Sequence, residues 1–90
     1  MVEIIWTDYL KYRVKLRGFN LAKIEEVIRY SSERYYDTST DRWVVVGKDS
    51  NILVMIPHEI DEDSTITPIT IHATTRQHIK YRVKSGRFKK

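Results

Sequence analysis

The sequence lacks cysteine and has few residues that interrupt regular structure. Its 90 residues include no cysteine, two prolines and three glycines. The absence of thiols excludes a disulfide scaffold, a cysteine nucleophile and a thiolate zinc site. The glycines Gly18, Gly47 and Gly86 are far apart, so no glycine-rich nucleotide-binding loop is present. With 41% hydrophobic and 31% charged residues, the chain is expected to fold as a single domain.

Long apolar runs are missing as well. No stretch approaches the roughly 20 apolar residues that span a bilayer. The N-terminus also has no basic segment ahead of an apolar one, as a secretion signal would have. We therefore expect a soluble, cytoplasmic protein with no membrane partner.

Acidic residues are absent from the last fifth of the chain. Residues 72–90 contain seven Lys or Arg and no Asp or Glu, whereas residues 1–71 contain twelve acids and nine bases. Such a basic segment attracts polyanions in a salt-dependent manner. We expect a domain over residues 1–84 and a basic tail over residues 85–90.

The first half of the chain predicts a strand and one or two helices. Val2 to Trp6 is an apolar run suited to a strand. By periodicity alone, residues 8–17 fit a strand slightly better than a helix, although Tyr9 and Tyr12 also fit the buried stripe of a helix. Residues 21–30 form an amphipathic helix after the N-cap Asn20. The polar residues 31–41 are expected to be a loop.

The second half predicts a three-strand antiparallel meander followed by a helix. Two β-branched runs, residues 43–46 and 52–56, flank a segment with the composition of a hairpin turn. Pro57 should end the second strand or lie beside a bulge, because it cannot donate to the ladder. The third strand is Ile66 to His72, and Thr74 or Thr75 caps the C-terminal helix. The expected class is α+β, with an N-terminal strand and helices packed on a small antiparallel sheet.

Histidine and arginine near strand ends are the strongest chemical feature. The spacing of the three histidines matches no metal-ligand motif, so we expect no metal and no cofactor. His72 closes the third predicted strand, and Arg76 follows one helical turn later. Histidine can act as base or acid near neutral pH, and arginine can hold phosphate oxygens in a bidentate fork. Metal-free RNA cleavage needs a base, an acid and fixed positive charge.

The same residues also have plainer interpretations. A histidine at a strand end is commonly a hydrogen-bonded structural residue. Arg76 is also a natural residue for a helix surface, and Trp43 is expected in the core unless it stacks on a base.

Several segments together match a known pattern. They are residues 4–8, the basic residue before Gly18-Phe19, the helix 21–28, Arg42 ahead of residues 44–47, the strand 53–56, and residues 69–74 before a basic helix. In these segments the chain resembles the BrnT-like toxins of type II toxin–antitoxin systems, within the RelE/ParE-like group of ribonuclease toxins. The resemblance spans about Trp6 to Arg82. It implies a RelE/BrnT-like fold, a helix at residues 8–17 and cleavage of messenger RNA.

Two positions depart from the family pattern. Leu16-Arg17 stands before Gly18 where Lys-His is usual, and the last strand ends Thr70-Ile71-His72 where Ser-Ala-Arg is usual. We hypothesise an endoribonuclease toxin that cleaves RNA without a metal and so inhibits translation. The candidate catalytic residues are His72, Arg17, Arg76 and Tyr81, and the candidate RNA-binding residues are Arg42, Lys48, Lys80, Arg82, Lys84 and Arg87.

Two other functions remain open. A non-catalytic RNA- or DNA-binding module would use the same basic helix, with Trp43, Tyr35 or Tyr36 stacking on bases. A partner-docking protein would present its basic C-terminus to an acidic protein such as an antitoxin. A homodimer and a toxin–antitoxin hetero-oligomer are both compatible with the sequence.

Overall fold

Three helices and six short strands form the fold of residues 2–90, which a computed structural model describes. The elements are α1 (Asp8–Leu16), α2 (Leu21–Tyr30), β1 (Arg34–Asp37), β2 (Arg42–Asp49), β3 (Ile52–Ile60), β4 (Ile66–Pro68), β5 (His72–Thr74), α3 (Arg76–Lys84) and β6 (Phe88–Lys89). The strands form an antiparallel sheet in the order β4-β3-β2-β1-β6, and β5 also pairs with β3. The predicted α+β class, with helices and an antiparallel sheet, is confirmed. No helix in these residues has the length and apolarity needed to cross a membrane.

Side-chain caps explain where the helices begin. The side-chain oxygen of Thr7 accepts a hydrogen bond from the Leu10 amide at 3.1 Å, and Asn20 and Thr75 do the same at the starts of α2 and α3. Gly18, with φ of 75°, ends α1 in a conformation that favours glycine. Residues 8–16 are therefore helical, as the family resemblance implied and against the slight preference of their periodicity.

One side of the sheet, the closed face, is covered by α1 and α2. The main apolar contacts join Leu10, Val14, Ile24 and Ile28 of the helices to Val45, Val54 and Ile56 of the strands. Gly47 lets α2 lie close to β2, because a Cβ atom there would be 2.7 Å from Val27 Cγ1. The closed face thus forms a hydrophobic core.

The other side of the sheet, the open face, is covered only in part by α3. Its buried apolar residues are Tyr35, Val44, Val46, Leu53, Met55 and Phe88, and they pack with Ile79 of α3. Tyr35 stacks on Phe88 with ring centroids 5.4 Å apart. The remainder of this face is open to other molecules.

Two predicted irregular segments belong to the sheet. Residues 31–41 were expected to be a loop, but Arg34–Asp37 forms β1, in which Tyr35 and Asp37 are buried. Residues 85–90 were expected to be a tail, but Phe88–Lys89 pairs with β1 and the Phe88 side chain is buried. Both strands are short and depend on pairing with distant residues, which local patterns do not reveal.

The predicted first strand is reduced to a single bridge. Ile4 pairs with Ile66, with Ile5 N donating to Ile66 O at 2.9 Å. The chain turns into α1 directly after this bridge, because Thr7 already caps the helix.

The predicted third strand is divided into β4 and β5. His58 pairs with Pro68, and Met55 pairs with His72. The interval from 68 to 72 is therefore one residue longer than the interval from 55 to 58 that it faces in β3. The additional residue makes a bulge. Pro57 lies opposite it and accepts a hydrogen bond from Ile69 N at 2.8 Å, so proline does not end β3.

The tyrosines of α1 do not lie in the core. Tyr9 and Tyr12 were expected to be buried, but their residues are 55% and 60% exposed. Leu10 and Val14 instead provide the buried face of this helix.

Candidate active site

A cleft of about 240 Å³ lies on the open face, beside α3. It is lined by Asp37, Thr40, Arg42, Val44, Met55, Pro57, Thr70, His72, Arg82, Arg87 and Phe88. Side chains of paired residues in a sheet point to the same face. Asp37 pairs with Arg42, and Met55 pairs with His72, so the strand register brings these polar groups to one side.

His72 is the histidine of the cleft, and its pKa is lower than usual. Its side chain is partly buried at the start of β5. Burial lowers the pKa of His72, and the positive charges of Arg13, Arg17 and Arg82 lower it further. The ring is therefore neutral at physiological pH and can accept a proton.

Two arginines of the cleft carry charge that no acidic side chain within residues 2–90 neutralises in an ion pair. Arg82 comes from α3, lies over the Phe88 ring at 5.4 Å, and donates from Nη1 to Met55 Sδ at 3.4 Å. Arg42 comes from the first position of β2, and its buried Nε has no hydrogen-bond partner in the described residues. Both guanidinium groups can bind an anion.

A third arginine has a structural partner. Arg87 donates to the two carboxylate oxygens of Asp37 at 2.9 and 3.0 Å. Burial raises the pKa of Asp37, but the hydrogen bonds from Arg87 and from the Ser39 amide outweigh it, so the pKa is lower than usual. This ion pair holds the C-terminal segment against β1. Because Asp37 offsets its charge, Arg87 attracts an anionic ligand less strongly.

The structure separates the predicted catalytic residues. Arg17, at the end of α1, acts on His72 through its charge. Arg76 donates to Glu33 at 2.6 Å and lies outside the cleft, and Tyr81 is 71% exposed and also outside it. The predicted set is therefore not a single constellation, because the cleft brings His72 together with Arg82 and not with Arg76 or Tyr81.

The predicted RNA-binding residues form two groups. Arg42, Arg82 and Arg87 line the cleft, whereas Lys80 and Lys84 lie with Arg76 beside a shallower depression. Lys48 is exposed near the β2–β3 turn and lines neither of them.

The aromatic residues considered for stacking are not in the cleft. Tyr35 is buried. Trp43 is half-exposed, which excludes the core position expected for it, and it packs edge-on against Tyr36 at 5.1 Å. Trp43 pairs with His58, whereas its neighbours Arg42 and Val44 line the cleft, so its side chain points to the other side of the sheet.

Sequence reasoning missed Asp37 and Arg13. Asp37 lay in the expected loop, where only its alternation with Tyr35 indicated a strand. Arg13 precedes Arg17 by four residues, a spacing that places both on one side of a helix and that could have indicated a shared role.

The cleft can combine proton abstraction with anion binding. A neutral imidazole and unpaired guanidinium groups are suited to a phosphodiester, which needs a base and fixed positive charge when it is cleaved.

No family model, curated protein or solved structure matches this chain.

Proposed function

We propose that the protein is a small endoribonuclease that cleaves RNA without a metal, with the cleft as its active site. The observation that carries this proposal is a neutral His72 in the same cleft as the cations Arg42 and Arg82. A polyanion is attracted to this surface, and a base is placed where the polyanion binds.

The reaction is an internal transesterification with His72 as general base. His72 accepts the proton of a ribose 2′-hydroxyl, and the oxygen attacks the adjacent phosphorus. The bond to the 5′-oxygen breaks, which leaves a 2′,3′-cyclic phosphate. The leaving oxygen takes a proton from water, and the hydroxide that remains receives the proton held by His72, which restores the base. Asp37 is not the acid, because Arg87 holds its carboxylate ionised.

Arg82 and Arg42 stabilise the charge that develops on the phosphate oxygens. Packing against Phe88 and Met55 holds Arg82 in place before the substrate binds. Preorganised charge of this kind is commonly a large contribution to catalysis, at about 100-fold to 1,000-fold in kcat for one group. Arg17 and Arg13 keep His72 neutral and add to the attraction of RNA.

The proposed class of ribonuclease rests on the family resemblance. A 90-residue basic domain with a cationic cleft is in keeping with the family resemblance to toxins of type II systems. Messenger RNA is then the substrate, cleavage inhibits translation, and an acidic antitoxin is the partner that neutralises the basic surface. These roles depend on the cleavage activity, which is tested first.

The deciding experiment is the cleavage of a fluorescent RNA by the purified protein in EDTA. His72→Gln should lower kcat by about 100-fold to 10,000-fold, the usual contribution of a general base. His78→Gln is the matched control, because His78 is an exposed histidine on α3 outside the cleft. Thermal unfolding of each variant shows that the fold is intact.

The pH profile gives an independent check. A base is active when it has lost its proton, and the pKa of His72 lies below its usual 6.5. Cleavage should therefore be constant above about pH 6.5 and fall as the solution becomes more acidic. RNA binding without cleavage would show that the protein is a binding module and not an enzyme. Neither binding nor cleavage would indicate a protein that docks an acidic partner.

A further inference from the structure

Helix α1 exposes an apolar and aromatic stripe. Tyr9, Tyr12 and Leu16 are 55%, 60% and 62% exposed, although all three are large side chains. Their spacing of three and four residues places them on one side of the helix, away from the buried Leu10 and Val14. We call these three residues the α1 stripe. Exposure of this much aromatic surface in one row is typical of a binding surface.

The surroundings of the α1 stripe are basic. Lys11, Arg13, Lys15 and Arg17 interleave with it, and the acid in this segment is Asp8 at the start of the helix. None of these four cations takes part in an ion pair with any residue from 2 to 90. The charge of the surface is therefore complementary to a polyanion.

Arg13 connects the α1 stripe with the positive charge around the cleft. The Arg13 guanidinium carbon lies 6.0 Å from the centre of the Tyr9 ring. The charges of Arg13 and Arg17 also lower the pKa of His72, so both arginines add to the positive potential at the cleft, although no residue of α1 lines it. Arg13 Nε is buried and has no hydrogen-bond partner in the described residues. Arg13 thus lies beside a tyrosine of the stripe and adds to the positive charge that acts on His72.

We propose that α1 binds the single-stranded RNA that extends beyond the cleft, with bases stacked on Tyr9 and Tyr12 and phosphates held by Arg13 and Arg17. This inference rests on the proposed RNA substrate and adds its second binding region. Aromatic rings interleaved with cations are the usual platform for single strands. From Tyr9 to Leu16 the helix rises about 10 Å, which matches about three stacked nucleotides.

The test measures binding separately from cleavage. The probe is a fluorescein-labelled 2′-O-methyl oligouridylate, which lacks the attacking hydroxyl, in lengths of about three and about eight nucleotides. Fluorescence anisotropy gives the Kd of each length. The double variant Tyr9→Ala/Tyr12→Ala should bind the longer probe at least tenfold more weakly than the wild type.

Two controls separate stacking from other effects. Tyr9→Phe/Tyr12→Phe keeps the rings and should retain the affinity for the longer probe. Tyr30→Ala removes a tyrosine of α2 that is 72% exposed and lies outside the stripe, so it should bind as the wild type does. The salt dependence of Kd should be unchanged by the loss of the tyrosines and shallower in Arg13→Gln, since only the arginine carries charge.

The outcomes for the two proposals can be told apart. Wild-type affinity for the longer probe in the double alanine variant would overturn the role of α1, whereas cleavage in EDTA decides the enzyme on its own. Weaker binding by that variant without any wild-type cleavage would support the α1 surface and overturn the ribonuclease. If the wild type binds neither probe, the α1 proposal is wrong and its stripe is left for a protein partner.

Discussion

The closed and open faces of the sheet are made by alternate residues of the same strands. On β3, Val54 and Ile56 point to the closed face and pack against α1 and α2, whereas Met55 and Pro57 point to the open face and line the cleft. The closed face buries apolar side chains against two helices. The open face has one helix, and the area that α3 leaves uncovered holds the cations and His72.

This difference assigns separate roles to the two faces. Burial of apolar surface is the main source of folding free energy, and it is concentrated where two helices cover the sheet. Charged side chains can be kept without ionic partners on the open face because water still reaches them. A change on the closed face should therefore affect folding, and a change in the cleft should affect activity.

The largest effect is expected from a cavity on the closed face. Ile56 is completely buried, and Ile56→Ala should lower the free energy of unfolding by about 4 kcal/mol, within the usual range for such truncations. Urea denaturation measures the loss. Ile52→Ala is the control on the same strand, since Ile52 is 46% exposed and should cost less than about 1 kcal/mol. Equal losses for both variants would show that burial against the helices is not the source of the folding free energy on the closed face.

The second effect should be a lower rate of RNA cleavage with an unchanged free energy of unfolding. Arg82→Ala removes a cation of the cleft and should lower kcat by about 100-fold to 1,000-fold, equivalent to about 3 to 4 kcal/mol. Arg76→Ala is the matched change on the same helix, and its loss should be less than about threefold because Arg76 pairs with Glu33 outside the cleft. The RNA cleavage rate in EDTA decides between them. A greater loss of kcat for Arg76→Ala than for Arg82→Ala would indicate that the active site lies on the outer side of α3.

Strong local patterns made part of the fold predictable. The α2 helix has both a cap and an apolar face in its own ten residues, and β2 and β3 are β-branched runs joined by a short turn. In contrast, β1 and β6 are short and include polar residues, and their pairing joins Asp37 to Phe88 across the length of the domain. Pairing at such distance is set by the tertiary structure and has no local pattern.

The candidate site was predictable to the same degree. His72 was identified because it closes a β-branched segment, and Arg82 was among the predicted RNA-binding cations. Arg76 was chosen for the cleft because it follows His72 by one turn. The Thr75 cap, however, makes Arg76 the first residue of α3, where it reaches Glu33. Glu33 lies 43 residues earlier, so only the fold could reveal this partner.

A smaller effect is expected from the ion pair that holds the C-terminal segment. Asp37→Asn removes the charge that receives two hydrogen bonds from Arg87 and should lower the free energy of unfolding by about 1 to 2 kcal/mol. This value is reduced for the partial exposure of Arg87. Glu33→Gln, at the more exposed pair with Arg76, should cost less than about 1 kcal/mol. Thermal unfolding measures both, and a larger loss for Glu33→Gln would show that the segment is not anchored by Asp37.

The smallest effect is a dependence of stability on pH that should come mainly from His58. This histidine is almost fully buried on the side of the sheet opposite the cleft, and its Nδ1 lies 2.9 Å from Ile56 O. Burial lowers the pKa of His58, although the hydrogen bond to Ile56 opposes this, so the unfolded chain binds a proton more readily than the folded one. Stability is then greatest above the usual pKa of 6.5 and decreases as the pH falls below it, by at most about 1.4 kcal/mol per pH unit for one group.

His58 and His72 both have lowered pKa values and lie on opposite faces of the sheet. Substituting each of them therefore tests the roles of the two faces with the same type of residue. His72 is less buried than His58, so His58→Gln should remove more of the slope in unfolding free energy between about pH 7.5 and pH 5. His72→Gln should instead remove cleavage while most of that slope remains. Urea denaturation at several pH values, alongside cleavage rates, gives both quantities for each variant. If His72→Gln flattens the stability slope and His58→Gln abolishes cleavage, the functional face of the sheet is the one covered by α1 and α2.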